Sequence, residues 1–155
     1  NKSVPLQPDY NTKTLRDMSE KVSVNWTERM AFEATANDHK FMLDAKEEVG
    51  GQNKGPRPKP LALVSLGGCT GMDVVSILKK MRVEFDSFNI DVEGEMTDEH
   101  PKHYNKIRIT YKFKGKDLPK DKLEKAVNLS QDRYCGVTAM LSKAAEIDYE
   151  IIVED

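Results

Sequence analysis

Apolar positions change their spacing several times along this chain, and each change marks an element. Val22, Val24 and Trp26 alternate with Ser23, Asn25 and Thr27, the period-two pattern of a half-buried strand. Met30, Phe32 and Ala34 continue the alternation. Asn37-Asp38 supplies turn chemistry before a third run through Phe41 and Leu43, so the opening reads as a three-stranded meander. A loop rich in Gly and Pro follows over residues 50–60. It leads into a helix whose first turn tolerates Pro60 and in which, from Leu61 to Leu78, Asp73 is the only charged residue. A helix this apolar all round is predicted to be buried on more than one side. A membrane span is the poorer reading, because Gly67, Gly68, Gly71, Thr70 and Asp73 make insertion unfavourable.

Two long strands come next. Phe88, Ile90 and Val92 alternate with Asn89, Asp91 and Glu93, while Val83 and Phe85 fall on the opposite phase and predict a bulge near Asp86-Ser87. Ile107, Ile109, Tyr111 and Phe113 alternate with lysines, arginine and threonine. A helix is predicted from Pro119 through Leu123, Ala126, Val127 and Ser130, and a shorter one from Gly136 to Ala145. The last strand alternates Ile147, Tyr149, Ile151 and Val153 with acids. The order β-β-β-α-β-β-α-α-β predicts an α+β domain, with helices on one face of antiparallel sheet. A small sheet cannot cover so apolar a central helix alone, which predicts a homodimer whose second subunit buries the other face.

Length and charge narrow this picture. The 155 residues suffice for one domain, read here as residues 21–155 behind an N-terminal arm, residues 1–20, with one helical turn near Leu15. The formal net charge of −2 offers no global field for nucleic acid or an anionic membrane. Residues 84–99 carry seven acids and no base, and residues 102–125 carry nine bases against three acids. The acidic strand supplies cross-strand partners for the basic one, and no aromatics interleave with the outward lysines, so a charge-paired sheet face is predicted rather than a nucleic-acid surface. No apolar stretch in the first thirty residues resembles a signal-peptide core, and two cysteines do not make a disulfide scaffold, so a cytoplasmic location is expected.

Those two cysteines are the main candidates for chemistry. Cys69 lies on the apolar helix beside Gly67, Gly68 and Gly71, each of which costs about 1 kcal/mol relative to Ala in a helix interior. Such glycines are expected to admit a ligand or another backbone. Cys135 lies at the predicted start of the Gly136 helix, where unpaired N–H groups lower a thiol's pKa. The plainer reading is two buried cysteines acting as small hydrophobes. Asp73 is read as a satisfied core carboxylate, with a dimer-interface partner as the alternative. His100 and His103 share a loop and His39 is distant; with no third ligand in view, no metal site and no cofactor is expected.

The two cysteine segments, Gly67-Gly68-Cys69-Thr70-Gly71-Met72-Asp73-Val74-Val75-Ser76-Ile77-Leu78 and Leu129-Ser130-Gln131-Asp132-Arg133-Tyr134-Cys135-Gly136-Val137, are similar to the paired cysteine motifs of the OsmC/Ohr superfamily. The resemblance covers roughly residues 22–153 and is closest to a branch with the Gly-Gly-Cys form. It implies an intertwined homodimer with active sites at the subunit interface. It also implies thiol-dependent reduction of organic hydroperoxides, with Cys69 as the peroxidatic thiolate, Cys135 as the resolving thiol, and a dithiol reductant that reopens their disulfide. The peroxidase branches carry a carboxylate nine or ten positions before the reactive Cys, and an Arg that polarises it. Here those positions are Pro60 and Lys59, so Lys59, Arg29 and Arg57 become the candidates for stabilising the thiolate, and Gly136 replaces a frequent Pro. The rival implication is a non-catalytic dimer that keeps the pocket and holds a hydrophobic ligand or a protein partner.

Overall fold

The computed structural model of the chain describes residues 19–155; the helical turn predicted near Leu15 lies outside them. Two compact units divide between Arg57 and Pro58.

In the N-terminal unit, strands β1 (Ser23–Glu28), β2 (Ala31–Ala36) and β3 (His39–Leu43) form the predicted antiparallel meander. Asn37 and Asp38 both have positive φ, 48° and 64°, which suits a two-residue hairpin turn that joins β2 to β3 with matching twist. One expectation fails here. Val22, Val24 and Trp26 alternate as a buried face would, yet they are 62%, 52% and 65% exposed. Alternation reports which residues share a face, not whether that face meets a second layer within the same chain.

The C-terminal unit starts with helix α1 (Pro58–Lys80), followed by β4 (Ser87–Met96) and β5 (Tyr104–Lys114). Next come α2 (Lys120–Leu129), a π-helical turn over Ser130–Tyr134, α3 (Gly136–Leu141) and β6 (Glu146–Glu154). The predicted element order therefore holds, although the last helix stops at Leu141. Strands β4 and β5 pair antiparallel, with Phe88 opposite Phe113 and Ile90 opposite Tyr111. By contrast β6 pairs parallel to β5, with Ile107 opposite Ile147. The sheet is mixed rather than antiparallel because two helices carry the chain back across its face before β6 begins. The expected bulge at Asp86-Ser87 is absent: β4 begins at Ser87, and the register shift falls at Glu95/Met96. Val83 and Phe85 change phase because they precede the strand, with the Phe85 ring edge-on to Phe88 and Phe113.

The core lies between α1, α2 and this sheet, where Leu66, Val74, Leu78, Ile109, Tyr111, Leu123 and Val127 are fully buried. Only one face of α1 takes part. Val64, Met72 and Val75, on other faces of the same helix, are 66%, 76% and 43% exposed, so the described residues do not bury α1 on several sides. On the sheet's outer face Lys112 pairs with Asp91 at 2.6 Å, as the charge pattern predicts, while Arg108 pairs with Asp148 of β6 at 2.9 Å.

Candidate functional site

The glycines of α1 have a packing reason. A Cβ on Gly71 would meet Ile90 Cδ1 at 2.9 Å, and one on Gly67 would meet Val92 Cγ2 at 3.2 Å, so both let the helix press onto β4. Only Gly68 opens onto free space. Gly67 and Gly71 thus admit neither a ligand nor another backbone but side chains of the chain's own sheet.

That close approach places Cys69, half-buried, against the other cysteine. The second cysteine is delivered by the π-turn, in which the Cys135 N–H donates to the Ser130 carbonyl at 2.8 Å, five residues back. Cys135 then leaves helical geometry (φ −72°, ψ 101°) to become the N-cap of α3, and its Sγ accepts the Thr138 N–H at 3.3 Å. The two sulfurs and a carboxylate oxygen of Asp73 all lie within 4.8 Å of one another. Asp73 is one turn beyond Cys69, so both project from the same side of α1.

A buried chain of hydrogen bonds anchors this group, and its direction follows from counting protons. The Ser130 hydroxyl donates to Asp73 Oδ2 at 3.0 Å, which uses its one hydrogen. Thr70 must therefore donate to Ser130 at 2.8 Å, and Tyr111 to Thr70 at 2.7 Å. Gln131 Nε2 donates to both Thr70 Oγ1 (3.1 Å) and Tyr111 Oη (2.7 Å), while its Oε1 accepts from Thr138 at 3.3 Å. Every member is satisfied, so the network fixes α1, β5, the π-turn and α3 relative to one another. Burial pushes the Tyr111 hydroxyl up to about 12 despite its hydrogen bonds with Thr70 and Gln131, so it stays a donor across the physiological range.

Burial also pushes the Cys69 thiol above its ordinary value. The Val137 N–H directed at its sulfur pulls the other way, while Cys135 and Asp73 raise it further. This opposes the expectation of a thiolate favoured by nearby positive charge. Lys59 sits ten residues earlier on α1, about 15 Å along the helix axis, and its Nζ lies 4.0 Å from Met96 Sδ. Arg29 and Arg57 belong to the N-terminal unit, where Arg57 donates to the Gly55 carbonyl at 3.1 Å. Among the described residues of the C-terminal unit, the group that favours the anion at Cys69 is a backbone N–H.

Sequence reasoning found both cysteines and missed what joins them. Asp73, which the sequence reads as a satisfied core carboxylate, does accept a hydrogen bond, and its carboxylate oxygen also stands beside both sulfurs. Its spacing of four from Cys69 on a helix is the signal that could have found it. Nothing local marks Thr70, Ser130 and Gln131, which meet only after the fold forms.

Apart from the two cysteines and Asp73, none of which lines it, a groove of about 940 Å³ runs between α1 and β4, lined by Pro60, Leu63, Gly68, Met72, Phe88 and Val92 among others.

Comparison with known proteins places this architecture. The family model for OsmC-like proteins matches residues 51–150. Protein YhfA of Escherichia coli (strain K12) is 33% identical over 132 residues, which cover 83% of this chain and 96% of YhfA. A hypothetical protein from Aquifex aeolicus VF5 superposes with a TM-score of 0.75 at 32% identity, covering 88% of this chain and 98% of that one. The organic hydroperoxide resistance protein OhrB of Bacillus subtilis shares the fold with a TM-score of 0.58 at 19% identity, over 86% of this chain and 97% of its own.

Proposed function

This chain belongs to the OsmC-like protein family, and within it we propose thiol-dependent reduction of organic hydroperoxides by Cys69 and Cys135. The observation that supports the reading is the convergence of the two sulfurs and the Asp73 carboxylate within 4.8 Å, from positions 66 residues apart in sequence. Cys69 Sγ attacks the hydroxyl oxygen of the hydroperoxide and the O–O bond breaks. The alkoxide takes a proton and leaves as the alcohol, and Cys69 becomes a sulfenic acid. Cys135 Sγ then attacks the Cys69 sulfur, expelling water and forming the disulfide, which a dithiol reductant reopens. A disulfide needs the sulfurs about 2.05 Å apart, so the remaining closure is under about 3 Å and within reach of side-chain rotation. Apolar hydroperoxides are the preferred substrates, because Cys69 and Cys135 lie among apolar core side chains.

In this reading the working form is a homodimer in the cytoplasm. The exposed face of α1 around Met72 is the surface that a second copy covers. The thiol that burial holds protonated gives up its proton on attack, with the Val137 N–H stabilising the sulfur's charge.

Cumene hydroperoxide added to the reduced protein is expected to consume two thiols per chain. Cys135→Ser stops at a sulfenic acid that dimedone traps, and Cys69→Ser abolishes turnover. Consumption by Cys69→Ser at the wild-type rate would overturn the assignment. The groove also favours a second reading, a non-catalytic holder of a hydrophobic ligand. Thiols inert to hydroperoxide, together with a co-purifying lipid, would mark that outcome.

A further inference from the structure

We propose that the reduced Cys69–Asp73–Cys135 cluster binds one thiophilic divalent cation of the zinc and cadmium class, through two thiolates and a carboxylate. This does not rest on peroxide turnover.

The geometry is that of a partly assembled three-ligand site. Two donors come from adjacent turns of α1 and the third from the N-cap of α3, and their ligand atoms all lie within 4.8 Å of one another. Bonds of about 2.3 Å to sulfur and about 2.0–2.2 Å to oxygen in a tetrahedron put neighbouring ligands about 3.4–3.8 Å apart. Each gap therefore closes by no more than about 1.5 Å on that arithmetic, a distance that rotation of short side chains covers. Three protein donors leave a fourth position for water or an exogenous ligand, and two sulfurs select a soft cation over magnesium or calcium.

Each donor is already oriented by a group behind it. Ser130 donates to Asp73, the Thr138 N–H to Cys135 Sγ, and the Val137 N–H is directed at Cys69 Sγ. Ser130 is itself fully buried and held by Thr70. Such supporting partners fix ligands in metal sites. Charge argues the same way. Three acidic groups share one partly buried place, and no ion pair among the described residues involves Asp73. A dication supplies what is missing there.

Binding converts two thiols and one carboxylate into a complex of net charge −1 and releases two protons, with no transfer of electrons. A Cys69–Cys135 disulfide removes both sulfur ligands, so the metal and the disulfide exclude each other.

The test is titration of the reduced full chain with cadmium under anaerobic conditions, read by the ultraviolet cadmium–thiolate charge-transfer band. Zinc affinity is then measured by competition with a chromophoric chelator. One equivalent per chain is expected to saturate the band. Cys69→Ser and Cys135→Ser each halve its intensity, and oxidation with diamide abolishes it. Asp73→Asn keeps the band but weakens zinc at least about tenfold, and Ser130→Ala weakens it by about 10-fold through loss of the orienting hydroxyl. Circular dichroism of each variant reports whether the fold is kept. No band at one equivalent, with two thiols still titratable, would overturn the proposal. Unchanged zinc affinity in folded Asp73→Asn would remove the carboxylate and with it the three-ligand site.

Discussion

The two faces of α1 are written in the same apolar alphabet and end in opposite surroundings. Leu66, Thr70, Val74 and Leu78 are fully buried against the sheet and α2, while Val64 and Met72 are 66% and 76% exposed. The buried face carries Thr70, the residue that ties Tyr111 to Ser130 and so holds the cysteine-bearing turn in place. The bare face carries Gly68 and methionine beside the groove. Apolarity on this helix thus serves two ends. One face builds and aligns the site, and the other stays exposed.

Truncation separates the two faces most forcefully. Leu66→Ala is expected to cost about 2–5 kcal/mol in urea unfolding, against under about 0.5 kcal/mol for Val64→Ala two residues away. Equal costs would mean the two faces are not distinct. Next in size is Thr70→Val, which leaves Tyr111 Oη and one Gln131 N–H without their acceptor and is expected to cost about 1–3 kcal/mol. It should also slow formation of the Cys69–Cys135 disulfide.

The same network gives a pH dependence. Tyr111 is raised to about 12, chiefly by burial, whereas an unfolded tyrosine titrates near about 10. The folded state therefore holds this proton more tightly. Its stabilisation is fully present below about pH 10 and is lost as pH climbs towards 12. The urea midpoint should fall between about pH 9 and pH 11.5, and Tyr111→Phe should flatten that fall. On the outer face Met72→Glu is expected to leave the unfolding free energy of the single chain within about 0.5 kcal/mol while shifting sedimentation from dimer to monomer. The smallest effect is that of Asp91→Asn, which breaks the exposed pair with Lys112 and costs about 0.2–1 kcal/mol in the same unfolding assay.

Local pattern carried much of this molecule. Alternation around Ile90 and Ile109, the Asn37-Asp38 turn and the uninterrupted apolar run after Pro60 are each enough to name an element. What local pattern cannot carry is direction and depth. The parallel entry of β6 depends on where two helices return the chain, and the exposure of Trp26 depends on a surface that its own strand does not supply. The cysteines stood out by rarity and context. Asp73 stood out only as a lone charge, and Ser130 and Gln131 not at all, because their contacts reach 57 to 61 residues along the chain and exist only in the folded state.

Whether Cys69 and Cys135 act as a redox pair is read by peptide mapping under non-reducing conditions after one equivalent of cumene hydroperoxide is added to the reduced chain. A linkage between the Cys69 and Cys135 peptides within a single chain is expected, formed as the hydroperoxide becomes the alcohol. Two free thiols beside intact hydroperoxide, or a linkage only between chains, would contradict it.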